Sequence, residues 1–352
     1  MLRERQPQWS GCNLKDHMRR NAGKLVACVA GLCLASVLGT VASQVDDQLT
    51  ARQRVFKPIG PGLRAVKRGQ DGKYYVLASP SVGVAVFDDK EKQLTVIGAP
   101  TAAGTDKAGR TGIAFGEDCD VDAQGNVYVV DRGDNRITEL APDGKMLRSI
   151  PVAGPISVAA LPEGEVAVST LHGAHLVTVY GPNGKIVREF GEPEELSSRK
   201  EINWLLSEGR LGTDAQGRLY YGYTFRPEPL VRQYDRAGYA GMDFEFTGLD
   251  AFPEAQAARK EIDKQEKKQT PPYFLAILTA FGVDPVSGEV WMALHNTLLH
   301  FDKEGNRRSE YQIYTREGAR LEANTILVEE NRLLIGADPQ GVFDFERPDR
   351  KH

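Results

Sequence analysis

The chain has little cysteine, little histidine and no excess of charge of either sign. Its 352 residues include four cysteines and six histidines, and 44 Lys and Arg stand against 48 Asp and Glu, for a formal net charge of -4. That balance gives no support to nucleic-acid binding, which calls for a concentrated basic face. Cys12, Cys28 and Cys33 all precede residue 44, and Cys119 alone follows. No disulfide can form within the remainder, so its fold must stand on its core. No nucleophile elbow, phosphate loop or dinucleotide fingerprint occurs.

Long hydrophobic runs are also lacking, with one exception. Residues 1–24 form a polar, basic leader, and Leu25 to Ser43 then contains no charged residue. Such a segment is long enough to cross a bilayer. It equally suits a secretory signal core, because small residues crowd its end at Thr40-Val41-Ala42-Ser43. Met18 opens a short basic stretch directly before it and is a candidate translation start. Leu25-Val26-Ala27-Cys28 spells a lipoprotein cleavage box, but the apolar core follows it instead of preceding it, so lipidation is rejected. The expectation is an extracytoplasmic protein, periplasmic or secreted, with residues 25–43 as signal peptide or retained transmembrane anchor.

What the chain does have is glycine, 36 residues of it, gathered in turn-like clusters. From about residue 60 onward a short apolar strand runs into an Asp/Gly turn, a second strand follows, and a third ends in another polar turn. The clearest copy is Cys119 to Asp131, followed by Arg136 to Leu140 and the turn Pro142-Asp143-Gly144. Other central turns start at Asp71, Glu163, Asp214, Asp284 and Glu329. Glycine supplies the positive φ that tight reversals need. One such sheet cannot bury both its faces, so copies must stack around an axis, as propeller blades do. The segment from Asp122 through Asp131 to Ile137 resembles an NHL repeat, and the resemblance extends over roughly 60–346. It implies a propeller, commonly of six blades, and six copies are present.

The expected fold is therefore all-β: a six-bladed β-propeller over 54–346 with four-stranded antiparallel blades, preceded by the N-terminal apolar signal or anchor helix. Residues 44–53 are expected as linker and 347–352 as tail. The last copy stops one strand short, and Arg54 to Ile59 is expected to supply the missing outer strand. Residues 250–272 lack strand character and carry helix formers after Pro253, which predicts a helical insertion, either solvated or a lid.

In NHL-like blades the loops between second and third strands open on one face. Mapped onto this chain, that face collects Arg132, Asp134, His172, His175, Tyr223, Phe225, Arg226, His295, Asn296 and Asp338 as candidate binding residues, with Tyr223, Phe225 and Arg226 as anchors. Asp131, Asn135 and Arg136 read as structural residues of the loop. His172, His175 and His295 could hold a metal, yet no carboxylate motif accompanies them, and no metal or other cofactor is expected. Asp118-x-Asp120-x-Asp122 lacks the glycine and the final acid of a calcium loop. The reading that results is a non-enzymatic extracytoplasmic binding or scaffold propeller engaging a protein, peptide or glycan. A propeller enzyme (a metal-dependent lyase or lactonase-like hydrolase) and the sensor domain of a membrane-anchored signalling system are the alternatives.

Overall fold

The computed structural model describes residues 47–350 apart from 80–82, 99–111, 172, 248–252 and 269. The leader, the apolar segment 25–43 and the candidate start at Met18 lie outside the described residues. Among those described, no helix is long and apolar enough to cross a membrane.

Six sheets form, one per repeat. Their innermost strands are Leu63–Arg68, Gly116–Val121, Pro155–Ala160, Gly209–Thr213, Ala280–Val283 and Thr325–Val328; we number the blades I to VI in that order. The second strands are buried along almost their whole length, as in Val127–Asp131, Leu219–Tyr223 and Val290–Leu294. Each is sandwiched between two neighbouring blades. Val127 and Val129 pack toward blade I with Leu77 and Val86, while Tyr128 and Val130 pack toward blade III with Val158 and Val168. Both faces of one sheet are thus covered by different partners, which is why a blade cannot stand alone. The outermost strands face solvent, and Leu94, Leu147 and Ile186 are exposed there.

The turns follow the chemistry of their sequence. At the inner turn of blade II, Asp122 Oδ1 accepts from the N–H groups of Gln124 and Asn126 at 2.9 and 2.8 Å, and Gly125 adopts a φ of 80°. Asp214 repeats the arrangement with Gln216 and Arg218 at 2.9 and 3.0 Å. A short side-chain acceptor two residues before the turn's end is what lets these residues reverse the chain.

Ring closure is more extensive than expected. Gln53–Val55 pairs antiparallel with Gly341–Glu346 as the outer strand of blade VI, ending at Phe56, whose φ is 47°. The supposed linker contributes a further strand: Asp47–Thr50 runs parallel to Arg307–Tyr314 at the edge of blade V. One segment therefore spans the joint between two blades. The expected tail is also structural, because Arg347 is fully buried.

The insertion forms the helix Pro253–Glu266. It packs against a second helix, Lys200–Leu206, through Ile262, Ile202, Leu206 and Phe274. Arg199 donates to Gln265 O at 2.8 Å, and Glu266 accepts from the Ser197 hydroxyl at 2.6 Å. The insertion is docked, not solvated. Sequence reasoning missed its partner helix, which is only two turns long.

Candidate functional site

The side chains of each inner strand point alternately toward the two neighbouring blades while its free edge borders the axis, so the channel takes its chemistry from the six inner strands and the turns at their ends. Blades I to IV contribute Arg64, Lys67, Asp118, Asp120, Ser157 and Arg210; blades V and VI contribute Phe281, Val283, Ile326 and Val328. The inner strands of blades V and VI carry no charged side chain.

Most of the charges are tied down. Buried Asp118 accepts from the Ser157 hydroxyl and from the N–H of Cys119 at 2.9 Å. The Ser157 oxygen in turn accepts from Leu211 N–H at 2.9 Å, and Asp120 accepts from Ala160 N–H at 2.9 Å. Arg210 donates to Glu117 at 2.9 Å, with Arg132 3.8 Å from the same carboxylate. These bonds stitch inner strands to one another and satisfy groups that burial would otherwise leave bare. Cys119, in the core, has its thiol pushed well above its usual pKa by burial, which makes it unreactive.

Two cations are held less firmly. Lys67 Nζ lies 3.8 Å from Asp120 Oδ1, beyond hydrogen-bonding distance. Burial alone would lower its pKa, but Asp120 and Asp118 outweigh burial and hold the ammonium above its ordinary value. Burial pushes the Asp120 carboxyl up, with Lys67 opposing. Arg64 has no ion-pair partner among the described residues. Its guanidinium sits 5.5 Å over the Phe115 ring, and its Nε is buried without a hydrogen bond.

Glu208 lies near Arg132, Arg210 and Glu117; burial raises its pKa above the ordinary 4.5, with the two arginines opposing. A carboxyl with a raised folded-state pKa costs stability once it ionises, so the penalty is absent below pH 4.5 and complete above the folded value. Glu208→Gln is therefore expected to raise Tm at pH 7 and leave it unchanged at pH 4. Calorimetry at the two pH values checks this; a lowered Tm at pH 7 would contradict it.

Among the described residues, two spaces stand out along the axis. The larger, of 810 Å³, lies at the face formed by the turns from inner to second strands. Leu211, Phe281, Val283, Ile326 and Val328 form its apolar wall, and Lys67, Asp120, Asp122 and Glu163 its polar one. Its volume is that of a small-molecule site. Phe281 is seated by glycines of blade IV: a Cβ on Gly212 or Gly222 would come within 3.0 or 2.6 Å of its ring. The smaller space, of 50 Å³, is lined by Arg64, Lys67, Asp118, Arg210 and Asn324.

The described residues among those expected from the sequence sit at the opposite ends of the second strands and line neither space. Most of them hold loops in place. Arg132 is exposed beside Glu117, and Asp134 pairs with Arg136 at 3.0 Å. Asp131 is buried and accepts from Ala114 and Phe115 N–H at 3.1 and 3.0 Å, in line with its structural reading. His175 Nδ1 is 3.5 Å from the exposed Glu192, and His172 lies outside the described residues. Tyr223 is fully buried between blades III and IV, because it ends a sandwiched second strand; it is no exposed anchor. Phe225 packs under the two helices, and Arg226 is surrounded by Glu194, Glu228 and Glu245. His295 adopts a φ of 56°, and Asn296 is buried, donating to Ile313 O at 2.6 Å. Asp338 accepts from Gly62 and Leu63 N–H at 2.5 and 3.1 Å. The sequence did carry a signal for the axis: Lys67, Asp120, Phe281 and Ile326 stand on inner strands a few residues before each inner turn.

Among the described residues, Glu289, His300 and Asp349 bring ligand-type atoms within 4.8 Å of one another. Arg347 already bonds both carboxylates, at 2.8 and 3.0 Å, and His300 stacks on Trp291 at 4.2 Å. Burial lowers the His300 pKa. A second cation would compete with a guanidinium already in place.

Neither a protein-family model nor a curated protein sequence matches the chain. Among solved structures it is similar to a gluconolactonase of Xanthomonas campestris, at 14% identity and a TM-score of 0.54 over 88% of this chain and 94% of that one. A streptogramin B lyase is similar at 13% and 0.52, over 82% and 84%. An auxiliary nutrient binding protein of Bacteroides ovatus is similar at 12% and 0.52, over 81% and 69%. At such identities the likeness is one of fold. The chain is a six-bladed β-propeller.

Proposed function

We propose that the protein is a non-enzymatic binding propeller that takes its ligand at the axis, through the face formed by the inner turns. The observation that carries this reading is the 810 Å³ space with one apolar and one polar wall. Such a space orients a ligand by pairing its two sides and buries enough of it to bind. The ligand is then a small molecule, or the end of a peptide or glycan, instead of a broad protein surface. The likeness to a nutrient binding protein supports the reading. We read the repeat as NHL-like and the protein as extracytoplasmic, exported or anchored by residues 25–43; sequencing the N-terminus of the native protein tests this, since a start near Gln44 excludes the anchor and with it the sensor alternative.

A thermal-shift screen of small organic solutes tests the reading. Stabilising solutes should lose their effect in Val283→Glu, at the wall of the space, and keep it in Arg132→Glu on the opposite face. The reverse pattern would sink the proposal. One observation favours an enzyme as the second reading: Glu208, with its raised pKa, stands beside two arginines near the channel. Lactone hydrolysis or ring-opening elimination that disappears in Glu208→Gln would establish it.

A further inference from the structure

The two axial spaces are not independent. Val66, Lys67, Leu211, Phe281 and Ile326 belong to the walls of both. The two spaces are therefore neighbours across these five side chains, and Arg64 lies on the far side of them from the larger space. At 50 Å³ the smaller space admits a group the size of a carboxylate or one or two waters.

The donors around the smaller space are cationic and incompletely used. Arg210 is committed to Glu117 at 2.9 Å, and the acid facing the space, Asp118, is committed to Ser157 and Cys119. Arg64 keeps a buried Nε without a hydrogen bond and has no ion-pair partner among the described residues. Lys67 stands 3.8 Å from Asp120, too far to donate to it. Arg64 thus faces the small space with an unused donor, and Lys67 beside it donates to no carboxylate although Asp120 and Asp118 hold it charged. A buried donor without an acceptor, as at Arg64 Nε, favours a ligand that brings an acceptor, and an anionic acceptor most of all. From the same point outward the wall is apolar, through Phe281, Val283, Ile326 and Val328.

Resting on the binding reading above, we infer that the axial site takes a small amphipathic organic anion, with its oxyanion at Arg64 and Lys67 and its apolar body along Phe281, Val283 and Ile326. The guanidinium offers a planar fork to a carboxylate or sulfonate, and the ammonium offers a point charge three residues further along the same strand. Asp120 faces the outer, wetter part of the space and deters a second negative group on the ligand, so a monoanion fits better than a dianion.

Octanoate and 1-octanol share an apolar body and differ in the head, so they serve as probes. Both would be titrated calorimetrically into the full chain and into Arg64→Gln and Val283→Glu. Octanoate should bind the unaltered chain more tightly than octanol, and Arg64→Gln should weaken octanoate by about tenfold or more while leaving octanol unchanged. Unchanged octanol binding also reports that the variant is folded. Val283→Glu should weaken both. If octanol binds as well as octanoate, or Arg64→Gln affects neither, the anionic head is wrong while the axial reading survives. If neither binds, or Val283→Glu leaves both unaffected, the axial reading itself is overturned.

Discussion

Replacing Arg347 with alanine is expected to destabilise the domain by roughly 3–5 kcal/mol, the cost of leaving buried carboxylates without their cation. The side chain is wholly inaccessible, and it donates to Asp284 at 2.5 Å, Glu289 at 2.8 Å, Asp349 at 3.0 Å and the carbonyl of Glu329 at 3.0 Å. Asp284 is the turn acid of blade V, and Glu329 stands at the turn of blade VI. One guanidinium beyond the last strand thus fixes two blades together. Its loss should lower Tm by roughly 10 °C for a domain of this size. Arg347→Lys restores the charge but not the fork, and should recover only part of the loss. A thermal melt of the three proteins decides this; an alanine variant as stable as the parent would show that the cluster contributes nothing.

The second large effect concerns the closure. Val55 is completely buried and packs with Phe56, Val76, Phe87 and Val342 at the joint of blades VI and I. Aspartate there places an unpaired charge in an apolar cluster, and the expected loss is roughly 4 kcal/mol or more. Gln53→Asp, two residues earlier and exposed, keeps the same strand and should change stability by less than about 0.5 kcal/mol. Denaturant titration separates the two. Equal midpoints for both variants would mean that the ring does not depend on its first strands.

Much of the architecture was legible because each blade repeats its local chemistry. The polar inner turns, Asp-x-x-Gly at Asp122 and Asp214 and variants of it elsewhere, announced six reversals, and Asp122 and Asp214 do accept the backbone donors that their position implies. The closure at Arg54 and Val55 followed from a last blade lacking a strand. The parallel strand Asp47–Thr50 did not, since three polar residues and a single buried leucine carry no pattern strong enough to separate them from linker. Arg347 was hidden for a similar reason: a charged residue near the chain end reads as exposed unless its three acidic partners, scattered through the sequence, are known.

The site was less legible than the fold. Loops with histidine and arginine attract attention, but in this chain their polar groups are spent on neighbouring backbone, as Asp338 and Asn296 show. The axis is built from one or two residues per blade, spread over more than 250 positions from Arg64 to Val328. Only the ring brings them together. A strand such as Ala280–Val283 looks like ordinary core until its neighbours leave a space in front of Phe281.

A crystal structure of the protein grown with octanoate shows where the ligand lies. Density is expected against Phe281, Val283 and Ile326 with its polar end toward Lys67 and Arg64. Ligand density on the opposite face, against Arg132, His175 or Asp338, with the axial space filled only by water, would contradict it.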